Sequence, residues 1–121
     1  MRTFLATTLF LFLLVPQLSE AKDPPPSAEF AAFWKEFKSA VARNDKEAVA
    51  AATKLPFMAQ QSKAEFLRDY PTYFTKEVKK CLATAKPVRD RDGYLVFCGE
   101  EIFGFWKVNG AYKFTDIGMN D

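Results

Sequence analysis

The sequence predicts an α+β domain in which N-terminal helices pack on a curved antiparallel sheet. In the first half of the chain, apolar residues recur three and four positions apart, which is the period of an α-helix. From Pro87 onward this period is lost, and GYLVFCG has the composition of a β-strand. The dipeptide Asn109-Gly110 then indicates a tight hairpin, because both central residues of a type I′ turn need positive φ.

The beginning of the chain has the parts of a secretory signal peptide. Arg2 precedes an apolar run over residues 4–15, Pro16 ends the run, and Ser19 and Ala21 form a small-x-small cleavage site. The apolar run is shorter than the roughly 20 residues that a bilayer-spanning helix needs. We therefore expect cleavage after Ala21 and a secreted or periplasmic chain that keeps no membrane anchor.

One compact domain is expected after this leader. Its removal leaves about 100 residues, which is the size of a single domain with one hydrophobic core. Residues 22–27 are predicted to form an extended Pro-rich lead, and residues 28–121 form the domain. The net charge of +2 arises from interspersed positive and negative side chains, so the charge pattern predicts no nucleic acid partner.

Cys81 and Cys98 are the two cysteines of the chain. In an exported protein, the oxidising environment favours their pairing as a disulfide. A bridge at this spacing would stabilise the fold by roughly 3 kcal/mol. The alternative is a pair of buried reduced thiols. A redox role is disfavoured, because the sequence lacks the C-x-x-C spacing that lowers a thiol pKa.

The first two helices have clear boundaries in the sequence. Ser27 is placed to cap a helix whose aromatic stripe is expected to face the core. That stripe consists of Phe30, Phe33, Trp34, Phe37 and Val41. Asn44 can end this helix in a left-handed conformation, Asp45 can cap the next helix, and Pro56 is expected to stop it.

Residues 37–57, FKSAVARNDKEAVAAATKLPF, resemble the opening of small nuclear transport factor 2-like (cystatin-like) proteins. The shared pattern is a helix, a tight turn with an aspartate, and a second helix, and it is similar to that of small exported bacterial proteins. The resemblance extends over residues 28–118 through the order of the elements. It implies a cone-shaped pocket between a curved sheet and the helices. It also implies a possible chemistry, since some enzymes with this fold use an aspartate base and a tyrosine or second aspartate that holds an enolate oxygen.

Two further helices are predicted before the sheet. Ser62 and Glu65 are spaced as a capping box, and the helix that they begin is expected to be interrupted at Pro71. The sequence TKEVKKCLATA then predicts another helix, whose lysines are expected to form a solvated face.

The Asn109-Gly110 turn predicts the pairing of the last two strands. It places Phe105 opposite Phe114 and Phe103 opposite Asp116. Because side chains alternate between faces, the face expected to pack on the helices carries Glu101, Phe103, Phe105, Tyr112, Phe114 and Asp116. The other face carries Ile102, Trp106, Val108, Lys113 and Ile117. Gly104 within the strand indicates a bulge or a close approach by another group, and a bulge would shift this register.

The residue types present restrict the chemistry. The sequence contains no histidine, which excludes imidazole-based triads and most zinc sites. It also lacks a phosphate-binding glycine loop and a calcium-ligand motif, so neither a metal nor a cofactor is predicted. Carboxylate and phenol chemistry remains: Asp116 is the candidate base, and Tyr70, Tyr73 or Tyr112 is the candidate hydrogen-bond donor. The alternative is that Asp116 lies at the end of the sheet and faces water.

Three functions remain open at this point. The leading hypothesis is a non-catalytic exported domain that binds a small hydrophobic molecule or an envelope protein, with Phe103, Phe105 and Phe114 lining a pocket. The second is an isomerase or dehydratase that uses Asp116 as its base. The third is a periplasmic immunity or inhibitor protein. Trp106, on the other face of the hairpin, could support a homodimer through the sheet, as in many proteins of the fold that the chain resembles.

Overall fold

The computed structural model describes residues 24–120, which form four helices followed by four strands. The predicted signal peptide and the first two residues of the Pro-rich lead lie outside the described residues. The elements are α1 (Ala28–Ala42), α2 (Lys46–Ala51), α3 (Lys63–Tyr73), α4 (Lys76–Thr84), β1 (Val88–Asp90), β2 (Gly93–Cys98), β3 (Glu101–Val108) and β4 (Ala111–Met119). The α+β class and the antiparallel sheet are therefore confirmed.

Side-chain caps begin the helices where the sequence predicts them. The Ser27 hydroxyl accepts the backbone N–H of Phe30, and Asp45 caps α2 in the same way. Ser62 and Glu65 form the complete capping box of α3. These caps satisfy backbone donors that a helix N-terminus otherwise leaves without an intrahelical partner.

The left-handed residue predicted between α1 and α2 is present, since Asn44 has a φ of 55°. The prediction that Pro56 stops α2 is wrong, because the helix already ends at Ala51. Residues 52–54 then pair with β4: the Phe114 N–H donates to the Ala52 carbonyl, and the Lys54 N–H donates to the Phe114 carbonyl. The sheet thus uses the Ala52 carbonyl and the Lys54 N–H, two groups that a continuing α-helix would need for its own hydrogen bonds.

The predicted interruption of α3 at Pro71 is also wrong, because the helix continues to Tyr73. A proline inside a helix removes the bond to the carbonyl four residues earlier. Beyond Pro71, the Phe74 N–H still donates to the Tyr70 carbonyl at 2.9 Å. The last turn therefore forms despite the proline.

The sheet is a meander in which each strand pairs with the next along the chain, in the order β1-β2-β3-β4. The short strand β1 was not predicted. We call the face that packs on the helices the inner face. Its buried side chains include Tyr94, Val96, Phe103, Phe105 and Phe114. Rings from the helices meet them closely: Phe30 stacks on Tyr94 with ring centres 3.8 Å apart, and Phe37 meets Phe105 edge-on at 5.2 Å.

The predicted disulfide is confirmed. Cys81 of α4 and Cys98 of β2 are bonded, with their Cα atoms 5.8 Å apart. The bridge therefore joins the last helix to the sheet. Cys98 belongs to the buried core together with Val78 and Leu82 of α4, and Cys81 packs against it.

The predicted β3–β4 register holds near the turn and fails beyond Phe105. Asn109 and Gly110 have φ values of 52° and 84°, and Phe105 pairs with Phe114 as expected. Asp116, however, pairs with Gly104, and Phe103 pairs with Ile117. A bulge at Thr115 causes this shift, because the extra residue reverses the faces of all the side chains that follow it.

The bulge corrects two predicted placements. Ile117 packs against the core, whereas Asp116 lies on the opposite side of the sheet, which we call the outer face. Its neighbours there are Leu95 and Trp106, because Leu95 pairs with Gly104 and Trp106 lies against that glycine.

Candidate functional site

The outer face of the sheet carries a row of apolar side chains that keep contact with solvent. Phe97 of β2 is 45% exposed, and Leu95, Ile102 and Trp106 are half-buried. The strands present these residues here because they alternate with the buried residues of the inner face. The outer face therefore combines sheet rigidity with exposed apolar area.

Two glycines let the Trp106 indole lie flat on this face. A Cβ added at Gly93 would lie 2.5 Å from Cε2 of the indole, and one added at Gly104 would be as severely obstructed by the same ring. Such distances do not occur between real side chains, so both positions require glycine. The close approach that Gly104 indicates in the sequence is thus made by Trp106 and by Asp116.

Asp116 borders an open cleft at the edge of the outer face. The cleft has a volume of about 450 Å³, and it is lined by Lys54, Pro56, Met58, Ala59, Thr115 and Asp116. The Thr115 hydroxyl lies 2.6 Å from Oδ1 of Asp116 and can donate to it. Within residues 24–120 the Asp116 carboxylate has no salt-bridge partner. Asp116 is half-buried, so it is neither enclosed among phenylalanines nor fully in water.

The structure does not bring the candidate tyrosines to Asp116. Tyr73 donates its hydroxyl to the side-chain oxygen of Gln61, and Tyr112 packs edge-on against Phe30 at 5.1 Å. Tyr70 belongs to α3 and is buried in the core. Among the described residues, none of the three tyrosines lines the cleft beside Asp116 or hydrogen-bonds its carboxylate.

The three phenylalanines predicted to line a pocket lie in the core. Phe103, Phe105 and Phe114 are each 0% exposed. The Phe114 ring, for example, contacts three other rings, those of Phe37, Phe57 and Phe74, with ring centres 5.0 to 5.9 Å apart. These side chains fill the space between the helices and the sheet, and none of them lines the cleft beside Asp116.

A second cleft lies at the corner between the α1–α2 turn and helices α3 and α4. Its volume is about 260 Å³, and it is lined by Asn44, Lys46, Tyr70, Pro71, Phe74 and Lys79. Burial, followed by the nearby Asp45 carboxylate, raises the pKa of Tyr70. The sequence identified Tyr70 as a possible donor, but it did not predict this setting, because Lys46 and Lys79 belong to different helices.

No group of three or more cysteine, aspartate or glutamate side chains within residues 24–120 is arranged to hold a metal ion. None of the described helices is both long enough and apolar enough to cross a membrane.

Comparison with family models, with curated proteins and with solved structures found no match for the chain.

Proposed function

We propose that the chain is an exported, non-catalytic binding domain of the nuclear transport factor 2-like type, and that it binds an envelope protein through the outer face of its sheet. The observation that carries this proposal is the apolar row on the outer face, in which Phe97 is exposed and Leu95, Ile102 and Trp106 are half-buried. Contiguous exposed apolar side chains on a rigid surface commonly mark protein interaction sites.

The charges on the outer face suggest what the partner presents. Asp90 lies 3.7 Å from the Arg91 guanidinium, and the Lys113 ammonium donates to the Ala51 carbonyl at 2.7 Å. Asp116, in contrast, has no cationic neighbour within salt-bridge distance in the described part of the chain. A partner segment with apolar residues and one lysine or arginine fits this pattern, because the cation can pair with Asp116 beside the Trp106 ring.

The other functions considered from the sequence have less support. An isomerase or dehydratase would place a donor within hydrogen-bond reach of the base and its substrate, and Asp116 and the tyrosines lie apart. A small hydrophobic ligand would need an apolar cavity, and Phe103, Phe105 and Phe114 occupy the interior instead. Binding by a surface is the function that this geometry favours.

Export is part of the proposal, because the Cys81–Cys98 disulfide is typical of oxidising compartments. The predicted signal peptide would direct the chain to secretion. The partner is then expected among secreted or envelope proteins.

Photo-crosslinking in the native host tests the outer face directly. A photoreactive phenylalanine analogue at position 97 should give a covalent adduct with a heavier protein. The same analogue at position 35, on the exposed side of α1, should give none, since Lys35 faces away from the sheet. Asp116→Asn should reduce the yield of the position-97 adduct, because it removes the charge but keeps the side-chain shape.

Three results would overturn the proposal. One is equal adducts from positions 97 and 35, and another is no adduct from position 97. The third is an adduct of exactly twice the chain's mass alone, because the outer face would then be occupied by a second copy, as in the homodimer considered from the sequence. An adduct with a toxin or hydrolase would support the proposal and specify an inhibitor.

A further inference from the structure

The hydroxyl of Tyr70 is an unsatisfied polar group in the interior. Tyr70 is 2% exposed, and its hydroxyl oxygen has no hydrogen-bond partner among the described residues. The other fully packed tyrosine differs, because the Tyr94 hydroxyl accepts the Ser27 N–H at 3.0 Å. Buried hydroxyl groups are almost always paired, since leaving one unpaired is unfavourable. A hydrogen-bond partner of the Tyr70 hydroxyl would therefore have to come from outside the described residues.

Tyr70 has two lysines beside it in a surface cleft. It lines the cleft of about 260 Å³ together with Asn44, Lys46 and Lys79. The Lys46 ammonium lies over the Tyr70 ring, 5.7 Å from its centre. Neither lysine forms a salt bridge in the described part of the chain.

The nearby carboxylates do not cancel this charge. Asp45 is paired with the Arg43 guanidinium at 3.4 Å and also caps α2. Glu47 is paired with the Lys63 ammonium at 2.8 Å. The charges left unpaired at this corner are thus those of the lysines.

We propose that this cleft binds an oxyanion group, a phosphate or a carboxylate, through the Tyr70 hydroxyl and the ammonium groups of Lys46 and Lys79. All three are hydrogen-bond donors, and a bond from a charged donor to an anion is the strongest kind available to these side chains. Pro71 and Phe74 supply an apolar wall for the organic part of such a ligand.

Two properties of the site suit it to this role. Burial raises the pKa of Tyr70, so the phenol stays protonated near neutral pH and remains a donor. Lys46 is long and exposed, so its ammonium can move from the ring face to a bound anion with little loss of packing. That movement also uncovers part of the ring.

Titration of the purified, ¹⁵N-labelled mature chain with inorganic phosphate tests the site, with chloride added to keep the ionic strength constant. We expect saturable amide shifts that cluster at residues 44–46 and 70–79. Tyr70→Phe and Lys79→Gln should each weaken the apparent affinity by about tenfold. Lys80→Gln, one position further along α4, makes the same charge change outside the cleft and should alter it by less than about twofold.

A parallel titration with acetate distinguishes the two ligand sources. Saturation by acetate, with the same dependence on Tyr70 and Lys79, would assign the site to carboxylates, and saturation by phosphate alone would assign it to phosphate groups. Equal losses in Lys79→Gln and Lys80→Gln would overturn the proposal, because they would indicate general charge attraction. Undiminished binding to Tyr70→Phe, or no saturable shift with either anion, would overturn it as well.

Discussion

The carboxylate of Asp116 and the indole of Trp106 meet above the bare backbone of Gly104. A Cβ at that glycine would lie 2.5 Å from Oδ1 of Asp116 and even closer to the indole. The bulge at Thr115 places Asp116 there, and the glycine leaves room for both side chains. Three residues from two strands are thereby fitted together on the outer face.

Gly104→Ala should therefore destabilise the protein. The added methyl group has to displace both neighbours, and overpacking of this kind costs about 1–3 kcal/mol. Chemical denaturation of the purified chain would measure the free energy of unfolding. Gly118→Ala is the matched control, because a Cβ at Gly118 meets nothing within 4 Å, and we expect a change within about 0.5 kcal/mol. Equal effects of the two substitutions would contradict the packing described for Gly104.

Removal of the disulfide should lower stability without changing the fold. The Cys81 and Cys98 positions are 17 residues apart, and a crosslink over a loop of this length stabilises by roughly 3 kcal/mol through the unfolded state. Cys81→Ser combined with Cys98→Ser should lose about that amount in denaturant titration. Thiol titration of the unfolded wild-type chain without reductant should find no free thiol, and two reactive thiols would contradict the bridge.

The two buried tyrosines should respond differently to loss of their hydroxyl groups. Tyr94→Phe removes the acceptor of the Ser27 N–H, which should cost about 1 kcal/mol. Tyr70→Phe removes a hydroxyl without a partner in the described chain, and in buffer without phosphate or carboxylate it should change stability by less than about 0.5 kcal/mol, or increase it. Thermal unfolding of both variants beside the wild type checks this order, and a larger loss in Tyr70→Phe would contradict it.

Stability in alkali should also depend on Tyr70. Burial and Asp45 raise the pKa of this phenol in the folded state, so the folded protein holds its proton more tightly than the unfolded chain. The contribution of the protonated Tyr70 phenol to the free energy of unfolding is complete below the pKa of tyrosine in the unfolded chain, about 10. It is lost as the pH rises through the pKa of Tyr70 in the folded protein. Between pH ~9 and ~11, the wild type should lose more unfolding free energy than Tyr70→Phe. If the free energy of unfolding fell equally with pH in the wild type and in Tyr70→Phe, the predicted role of Tyr70 would be refuted.

The leader is expected to be removed during export. Expression of the full chain in a bacterium with a periplasm should release a protein that begins at Lys22, because Ser19 and Ala21 fit the small-residue cleavage pattern. N-terminal sequencing and intact mass identify the start of the chain. Replacing Ala21 by a bulky residue should block or shift the cleavage. A full-length product that stays in the cytoplasm would contradict both the leader and the proposed location.

The features that the sequence predicted well are those encoded by a few adjacent residues. The Ser27 and Asp45 caps and the Ser62–Glu65 box act within one helical turn. The Asn109-Gly110 turn likewise determines its own backbone shape. The aromatic stripe of α1 was predictable for a similar reason, because a single helical period fixes which side is buried.

The features that were missed depend on distant contacts. The end of α2 depends on pairing between residues 52–54 and β4. Gly104 indicates a bulge in the sequence, but the position of the bulge at Thr115, and with it the placement of Asp116, depends on the fit around that glycine. β1 contains three residues, too few to show a period, and the turn after it uses Arg91 at a φ of 52°, which few residues of that type adopt. The cleft at Tyr70 is lined by residues from three helices and from the α1–α2 turn, so no local sequence pattern predicts it.

The two edges of the sheet bear on how the protein behaves when it is concentrated. Residues 52–54 run beside the middle of β4 and use its outward backbone groups at Phe114. The opposite edge is β1, which offers only three residues. Short or covered edges give an incoming strand little to pair with, and this restrains growth into fibrils. The protein can therefore keep Phe97 exposed for a partner, beside its half-buried apolar neighbours, while its strands resist indiscriminate polymerisation.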